Sequence, residues 1–349
     1  MKSTHAVSAR PPAKWAVVFA FALVYLSWGT TFLAIKIGVE YFPPALFSGF
    51  RLGSAGLLIL AYMAVRGQPV HLALRELLWT AFVGVLMFVG GNGLLTLGEK
   101  VSVASGVASI LGATTPLFIA LFETTWPRGE RLTARGWLGL FVGLGGVLLL
   151  LAPQLEDPAA LLADAGPWFI LGSSVSWALG SVVMRYRRIR GSYLAIAAYQ
   201  LIVGGAALIG IGWASGEFSQ VGAAQFTFAS VYSFLHLLVF GSLVGFVAYV
   251  WLLGHVSATL VGTHSYVNPA VAVLVGWLLN NENITAFIAG GMVIILVGVA
   301  LVRTGGMHAK RRLDITSASH DKPKPICDPG ESTNAGECAE YVGPPVQER

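Results

Sequence analysis

Between residues 15 and 302 the chain is written almost entirely as apolar runs of about twenty residues, each closed by a short polar or basic connection. A run of that length crosses a bilayer as a helix, and inside lipid the backbone must satisfy its own hydrogen bonds. The runs fall near 15–35, 44–65, 77–97, 104–126, 136–152, 167–184, 192–213, 230–253, 258–279 and 286–302, with ends placed to within a few residues. This pattern predicts an all-α polytopic membrane protein with ten transmembrane helices. Composition removes the soluble alternative. Of 349 residues, 55% are hydrophobic and 11% charged, with mean hydropathy +0.72, whereas a soluble domain carries roughly a quarter charged residues. The 42 glycines suit close helix packing in lipid. Both cysteines, Cys327 and Cys338, lie in a polar tail, so cysteine builds neither a disulfide framework nor a metal site. No cofactor is expected.

Basic residues set the orientation, because short cytoplasmic loops keep them and translocated loops do not. With the N-terminus inside, the inner segments hold 16 lysines and arginines, among them Arg66, Arg75, Arg131, Arg135, Arg185, Arg190 and Arg303, while the outer loops hold Lys36 and Lys100. Both termini are therefore expected in the cytoplasm. The net charge of +5 is explained by this scatter of loop cations, and no nucleic-acid partner is implied. Residues 1–14 form a short cytoplasmic segment. Residues 304–349, rich in Pro, Ser, Gly and acids, lack the apolar content to fold alone and are expected to be a disordered cytoplasmic tail.

The sequence also repeats itself. Pro116 to Glu130 and Thr133 recur as Pro269 to Glu282 and Thr285; Val103-Ala104-Ser105 matches Val256-Ser257-Ala258, and Ser27-Trp28 matches Ser176-Trp177. The unit is about 150 residues, giving a first five-helix repeat at 15–152 and a second at 167–303. Five is odd, so the second copy enters the membrane in the opposite direction. Inverted repeats of this kind place a substrate site at the midplane between the copies.

The stretches YLSWGTTFLAIKIGVEYFPPALFSGFRLGSAG, GNGLLTLGEKVSVASGVASILGATTPLF and THSYVNPAVAVLVG resemble, in order, the EamA-type transporters of the drug/metabolite transporter superfamily, most of all its YedA-like inner-membrane members. The resemblance covers roughly 15–303. It implies a ten-helix bundle of two inverted repeats in the inner membrane of a bacterium, moving a small metabolite or drug, commonly outward. The substrate is left open, an amino acid or related compound being one candidate.

Several residues are candidates for the transport path. Arg51 lies about 5 Å from the middle of its span, where an isolated charge costs about 2.5–3.5 kcal/mol, and its repeat equivalent is Gln200. Glu123 lies within a turn of a span end and is expected to reach interfacial water. Trp28 and Trp177 fall at span centres and correspond across the repeat, whereas the other eight tryptophans fall near span ends, as is usual. Pro116 and Pro269 sit mid-span, each preceded by a polar residue, Thr115 and Asn268, and each expected to kink its helix. His264 and Tyr266 stand just before Asn268, and Asn92 lies in a Gly-rich run of the third span. Structural roles compete at each position: a packing tryptophan, a helix-bridging Thr or Asn, a neutral core histidine. Gly139 and Gly143 form a small-xxx-small face, which either packs within the chain or makes a homodimer seam through spans five and ten.

An intramembrane enzyme would need a convergent nucleophile and base, a carboxylate pair or a metal cluster, and no span contains an aspartate. A channel-like pore would need a charge ring or a repeated filter loop, and neither is present. Alternating-access transport of a small molecule is the function the sequence favours.

Overall fold

The computed structural model describes residues 12–101, 103, 105–127, 129–150, 164–187, 189–280, 285–305 and 307–309. Eight segments are long and apolar enough to cross a membrane: Lys14–Tyr41, Pro44–Val65, Leu74–Val101, Val107–Thr125, Ala165–Arg187, Tyr193–Ala214, Phe228–His255 and Ala286–Gly305. Ala134–Leu150 is apolar but shorter, and Ala258–Gly262 is followed closely by His264–Asn280. Leu57, Phe287 and Leu296 are each about 60% exposed, while Ser48, Thr96, Ser181, Gln200, Ser233 and Thr263 are buried. Apolar surface outside and polar groups inside is the distribution a lipid solvent demands.

The helices are α1 (Lys14–Gly29), α2 (Thr31–Tyr41), α3 (Pro44–Val65), α4 (Leu74–Gly84), α5 (Leu94–Val101), α6 (Ser105–Gly112), α7 (Thr115–Thr125) and α8 (Ala134–Leu150). They continue as α9 (Ala165–Arg187), α10 (Tyr193–Ala214), α11 (Phe228–His236), α12 (Val247–His255), α13 (Ala258–Gly262), α14 (His264–Asn280) and α15 (Ala286–Gly305). Two segments, Val85–Gly93 between α4 and α5 and Leu237–Phe246 between α11 and α12, wind as π-helix. Local chemistry marks the boundaries. Pro44 opens α3, where its missing N–H leaves no helical bond unmade. Ser192, Thr227 and Ser257 accept from Ala195 N, Ser230 N and Leu260 N at the starts of α10, α11 and α13. The break at Thr30 coincides with two threonine hydroxyls taking helix carbonyls, Thr30 Oγ1 to Ser27 O at 3.1 Å and Thr31 Oγ1 to Trp28 O at 2.8 Å.

The two halves share a repeated plan, although α9 runs unbroken where α1 and α2 are separated at Thr30. Helices α3 and α10 are both 22 residues long, start 149 residues apart, and are each followed by a glycine of positive φ, Gly67 at 62° and Gly216 at 75°. These two helices lie against one another in a reciprocal contact. A Cβ on Gly56 would stand 2.6 Å from Ala198 O, and one on Gly205 would stand 2.8 Å from Gly49 O and 2.5 Å from Gly53 N. Gly49 and Gly53 are the positions 149 before Ala198 and Ile202, so each helix presents the same patch to the other, and the numbering runs antiparallel. Helices α8 and α15 do likewise, Gly298 abutting Gly143 N at 2.5 Å. The small-residue face on α8 thus packs within the chain, and only the outward faces of α8 and α15, bearing Leu138 and Leu296, remain open.

Three expectations need correction. Lys36 and Lys100 lie within helices and not in outer loops: Lys36 Nζ donates to Glu99 O at 2.7 Å and Lys100 Nζ to Val39 O at 2.6 Å. The chain does not lose order at residue 304, because α15 runs to Gly305 and Met307–Ala309 pairs antiparallel with Glu130–Leu132. The rest of the tail lies outside the described residues. Pro116 kinks no helix, since the break falls earlier, at Ala113–Thr114, and Pro116 occupies the first turn of α7. Pro269 does lie inside α14.

Candidate functional site

A cavity of about 120 Å³ opens between the two π-helical segments. Its walls come from α1, α2, α3, the Val85–Gly93 segment, α5, α6, α7, α9, the Leu237–Phe246 segment and α14. A π-helix shifts the hydrogen-bond register by one residue, leaves carbonyls seeking donors, and recurs at functional sites. Here donors arrive from the other half of the chain. Trp28 Nε1, on α1, donates to Gly241 O at 2.9 Å, and Ser176 Oγ, on α9, donates to Leu86 O at 2.7 Å.

Arg51 joins both segments. Its Nη2 donates to Asn92 Oδ1 at 2.9 Å and its Nη1 to Ser242 Oγ at 3.1 Å, so one guanidinium spans the first π-helical segment and the second. The side chain is buried, and its Nε has no partner. Among the described lining residues Arg51 carries the sole formal charge, and no carboxylate faces it. Asn268 Oδ1 is likewise buried without a donor. A cation and an unfilled acceptor thus share one cavity, each with capacity left for a guest.

The rings of Trp28, Phe88, Trp177 and Phe246 make an aromatic part of the wall, and Tyr249 packs against Trp28 and Trp177. Trp28 and Trp177 meet edge to face with centroids 5.5 Å apart, Tyr249 lies 5.0 Å from Trp28, and His264 lies 4.7 Å from it. Trp177 Nε1 donates to Tyr249 OH at 3.0 Å, and that hydroxyl also meets Ser181 Oγ at 2.6 Å. His264 Nδ1 faces Val261 O at 2.9 Å. A carbonyl only accepts, so the proton sits on Nδ1 and Nε2 is left as the acceptor toward Ser265.

Of the residues singled out by sequence, Trp28, Arg51, Asn92, Thr115, Trp177, His264 and Asn268 all line this cavity. Four do not. Gln200 donates to Met184 Sδ at 3.6 Å and packs on Gly84, so repeat equivalence to Arg51 does not place it at the site. Tyr266 donates to Leu140 O at 3.0 Å with its ring on Gly143, a bridge between α14 and α8. Pro116 abuts Gly262. Pro269 acts through the backbone: its missing N–H withholds a helix donor from the carbonyl of Ser265, a lining residue.

Glu123 does not reach interfacial water. It is buried, and it accepts from Ala258 N at 3.1 Å, Thr259 N at 3.0 Å, Thr259 Oγ1 and Tyr186 OH, fastening α7 to the start of α13 and to α9. Sequence reasoning missed Ser242, Tyr249, Phe88 and Phe246, which carry no charge or proline to mark them. It also missed Glu99, because the third span was ended at residue 97. The helix continues to Val101, and the signal in the sequence is the adjacent acid and base Glu99-Lys100 at the end of an apolar run. Among the described residues no cluster of His, Cys, Asp or Glu could hold a metal.

The profile of the EamA-like transporter family matches residues 14–152 and again 164–304. The chain belongs to the EamA-like transporter family. It is 34% identical over 288 residues to an uncharacterized inner membrane transporter, YedA, of Escherichia coli (strain K12), covering 82% of this chain and 89% of that one. It is 27% identical over 285 residues to the uncharacterized transporter YoaV of Bacillus subtilis (strain 168), covering 81% and 95%. A solved crystal structure shares the fold with a TM-score of 0.66 at 20% identity, covering 84% of this chain and 98% of that one. EamA-family membership and these relatives make the chain a membrane transporter of the drug/metabolite transporter superfamily, not an enzyme.

Proposed function

We propose that this EamA-family transporter carries a small anionic or zwitterionic metabolite, such as an amino acid, out of the cell by alternating access between two inverted five-helix repeats. The observation that carries the reading is Arg51, one cation held by the π-helical segments of both repeats and facing an aromatic cavity with no acid among its described lining residues. A carboxylate on the guanidinium, an ammonium on Asn268 Oδ1 and an apolar body against Trp28 and Trp177 would use every unfilled group there.

Inversion is supported by the antiparallel, reciprocal contacts of α3 with α10 and of α8 with α15, each helix meeting its own repeat counterpart. Ten crossings follow if α8, and α13 with α14, complete the eight longer spans. Cytoplasmic termini are supported by the gathering of the basic segments at one end of the bundle. There Arg190 N meets Glu76, Arg187 stacks over Trp79, Arg185 lies 3.6 Å from Glu130, and the strand after α15 pairs with the strand before α8.

Reconstituted vesicles loaded in turn with labelled amino acids and cationic dyes test the reading, with and without a proton gradient. Efflux of an amino acid and retention of the dyes is expected. Dye efflux without amino acid efflux would overturn the substrate class. Reporter fusions after Pro158 and Arg188 test the topology: a periplasmic reporter active at the first and silent at the second is expected, and the reverse refutes it.

A further inference from the structure

Glu99 lies in the last turn of α5, two turns along the helix from Asn92 and one turn beyond Leu95, which lines the cavity. Its side chain is wholly buried, and neither carboxylate oxygen has a hydrogen-bond partner. An ionised carboxylate in that position would hold an unpaired charge out of water, a larger cost than leaving the hydroxyl of a neutral acid without an acceptor. The charged group beside it is Lys36 of α2, whose ammonium is turned to the backbone, donating to Glu99 O at 2.7 Å and to Val103 O at 3.4 Å. Of the other charged groups on elements packed against α5, Asp164 stands just before α9 and accepts from Ala165 N, Arg185 and Arg187 are at the far end of α9, Arg51 of α3 is engaged by Asn92 and Ser242, α6 has no charged residue, and neighbouring Lys100 donates to Val39 O.

The second repeat shows what this arrangement is without the acid. Arg185, 149 residues after Lys36, donates to Leu253 O at 3.2 Å, so each half places a cation from its first span on a carbonyl at the end of its third. At the position equivalent to Glu99, 153 residues on, stands the buried Leu252. A cation on carbonyls is therefore the shared structural device, and the buried acid is an addition confined to one end.

We infer that Glu99 and Lys36 form a proton-exchange site that links protonation to the opening of this end of the cavity. In the protonated state Glu99 is neutral and Lys36 ties α2 to α5 through the two carbonyls. On release, the Glu99 O–H bond breaks, the proton passes to water, and the ammonium leaves the carbonyls to pair with the new carboxylate. No electrons are exchanged. The tie between the outer halves of α2 and α5 then changes with protonation, one turn from the cavity wall. The purpose of the proton rests on the transport reading; the site itself does not, and its test needs no substrate.

Infrared difference spectroscopy of the full-length protein in lipid, titrated with pH, reads the carbonyl stretch of a protonated buried acid. The expected result is a band that disappears as pH rises, is missing in Glu99→Gln, and persists to higher pH in Lys36→Met, where the cation that favours ionisation is gone. In a background with Cys327 and Cys338 replaced, a Leu95→Cys thiol should change its reactivity toward an aqueous reagent several-fold across the same titration. Glu99→Gln should fix that reactivity at the low-pH level. Absence of the band, its survival in Glu99→Gln, or a thiol reactivity indifferent to pH would each overturn the inference. Should Glu99→Gln fail to fold, an unmoved band in Lys36→Met does so alone. None of these results bears on whether amino acids are carried, so the two readings fail separately.

Discussion

Replacing Arg51 by Met separates what this residue does for the fold from what it does for a ligand. The substitution keeps the apolar stem and deletes the guanidinium, leaving Asn92 Oδ1 and Ser242 Oγ without their donors at 2.9 and 3.1 Å. Leaving the buried Ser242 hydroxyl unsatisfied costs about 1–3 kcal/mol, and the half-buried Asn92 amide less. Against this, the burial of an unpaired cation is no longer needed, and its effective penalty is several kcal/mol. The two terms are of similar size and opposite sign, so thermal stability in detergent should move little. Ligand binding has no such compensation. A hydrogen bond from a charged group contributes about 1.5–3 kcal/mol, and at about 1.4 kcal/mol per decade its loss weakens apparent affinity by roughly 10- to 150-fold. Arg51→Lys keeps the charge but cannot fork to both π-helical segments, and should fall between. The assay is the concentration dependence of amino acid efflux from vesicles, with insertion and melting temperature measured on the same preparations. An Arg51→Met protein with unchanged efflux would refute the placement of the substrate at the guanidinium. One that transports nothing and also melts far below the parent would refute the balance of terms.

Trp28→Ala should be among the most damaging single changes, about 3–5 kcal/mol for a buried aromatic, because its ring touches Trp177, Tyr249 and His264 and its N–H holds Gly241 O; Trp177→Phe, which loses the bond to Tyr249 and some of the ring packing on Gly91, should cost less than that but more than the about 0.5–1.5 kcal/mol of the bond alone by thermal denaturation. Gly298→Val drives a side chain into the backbone of α8 at Gly143 and should cost about 1–3 kcal/mol or more, whereas Gly145→Ala, with open space around it, should leave the melting temperature unchanged. Glu123→Gln turns an amide N–H toward groups that already donate, and should lower melting temperature more than Thr259→Val, which removes one donor of the four. Equal effects of those two would show that the carboxylate charge is immaterial there.

The course of the chain was legible because lipid leaves an apolar run of twenty residues one solution, and Trp28 and Trp177 stood out because they break the interfacial habit of tryptophan. The π-helical segments were not legible, since the extra residue per turn changes backbone angles slightly and leaves no mark in an apolar run such as Leu237–Phe246. Gln200 misled because equivalence in a repeat fixes where the backbone goes, not what surrounds the side chain: Arg51 meets Asn92 and Ser242, and Gln200 meets the sulfur of Met184. Glu123 misled for a different reason. Distance along a helix from its end says how near the interface a residue lies, but not whether another segment's free N–H groups, here those of Ala258 and Thr259, have already claimed it.

The contacts between halves bear directly on how such a molecule changes state. The Gly241 carbonyl of the second half is filled by Trp28 of the first, the Leu86 carbonyl of the first by Ser176 of the second, and Arg51 bridges both π-helical segments. At about 1 kcal/mol net for a neutral hydrogen bond and about 1.5–3 for a charged one, the three of these bonds that cross between the halves, Arg51 to Asn92 lying within the first, amount to about 3.5–5 kcal/mol. That is comparable with the differential binding of about 5.5 kcal/mol by which a ligand moves a two-state equilibrium from 1:99 to 99:1. A bundle sealed instead by apolar interdigitation alone would offer a guest nothing to exchange. Here the ring contacts of Trp28 with Trp177 and of Phe88 with Phe246 are joined by donors and acceptors that a polar solute can replace, so a solute entering between Arg51 and Asn268 competes with the hydrogen bonds that hold the π-helical segments in place.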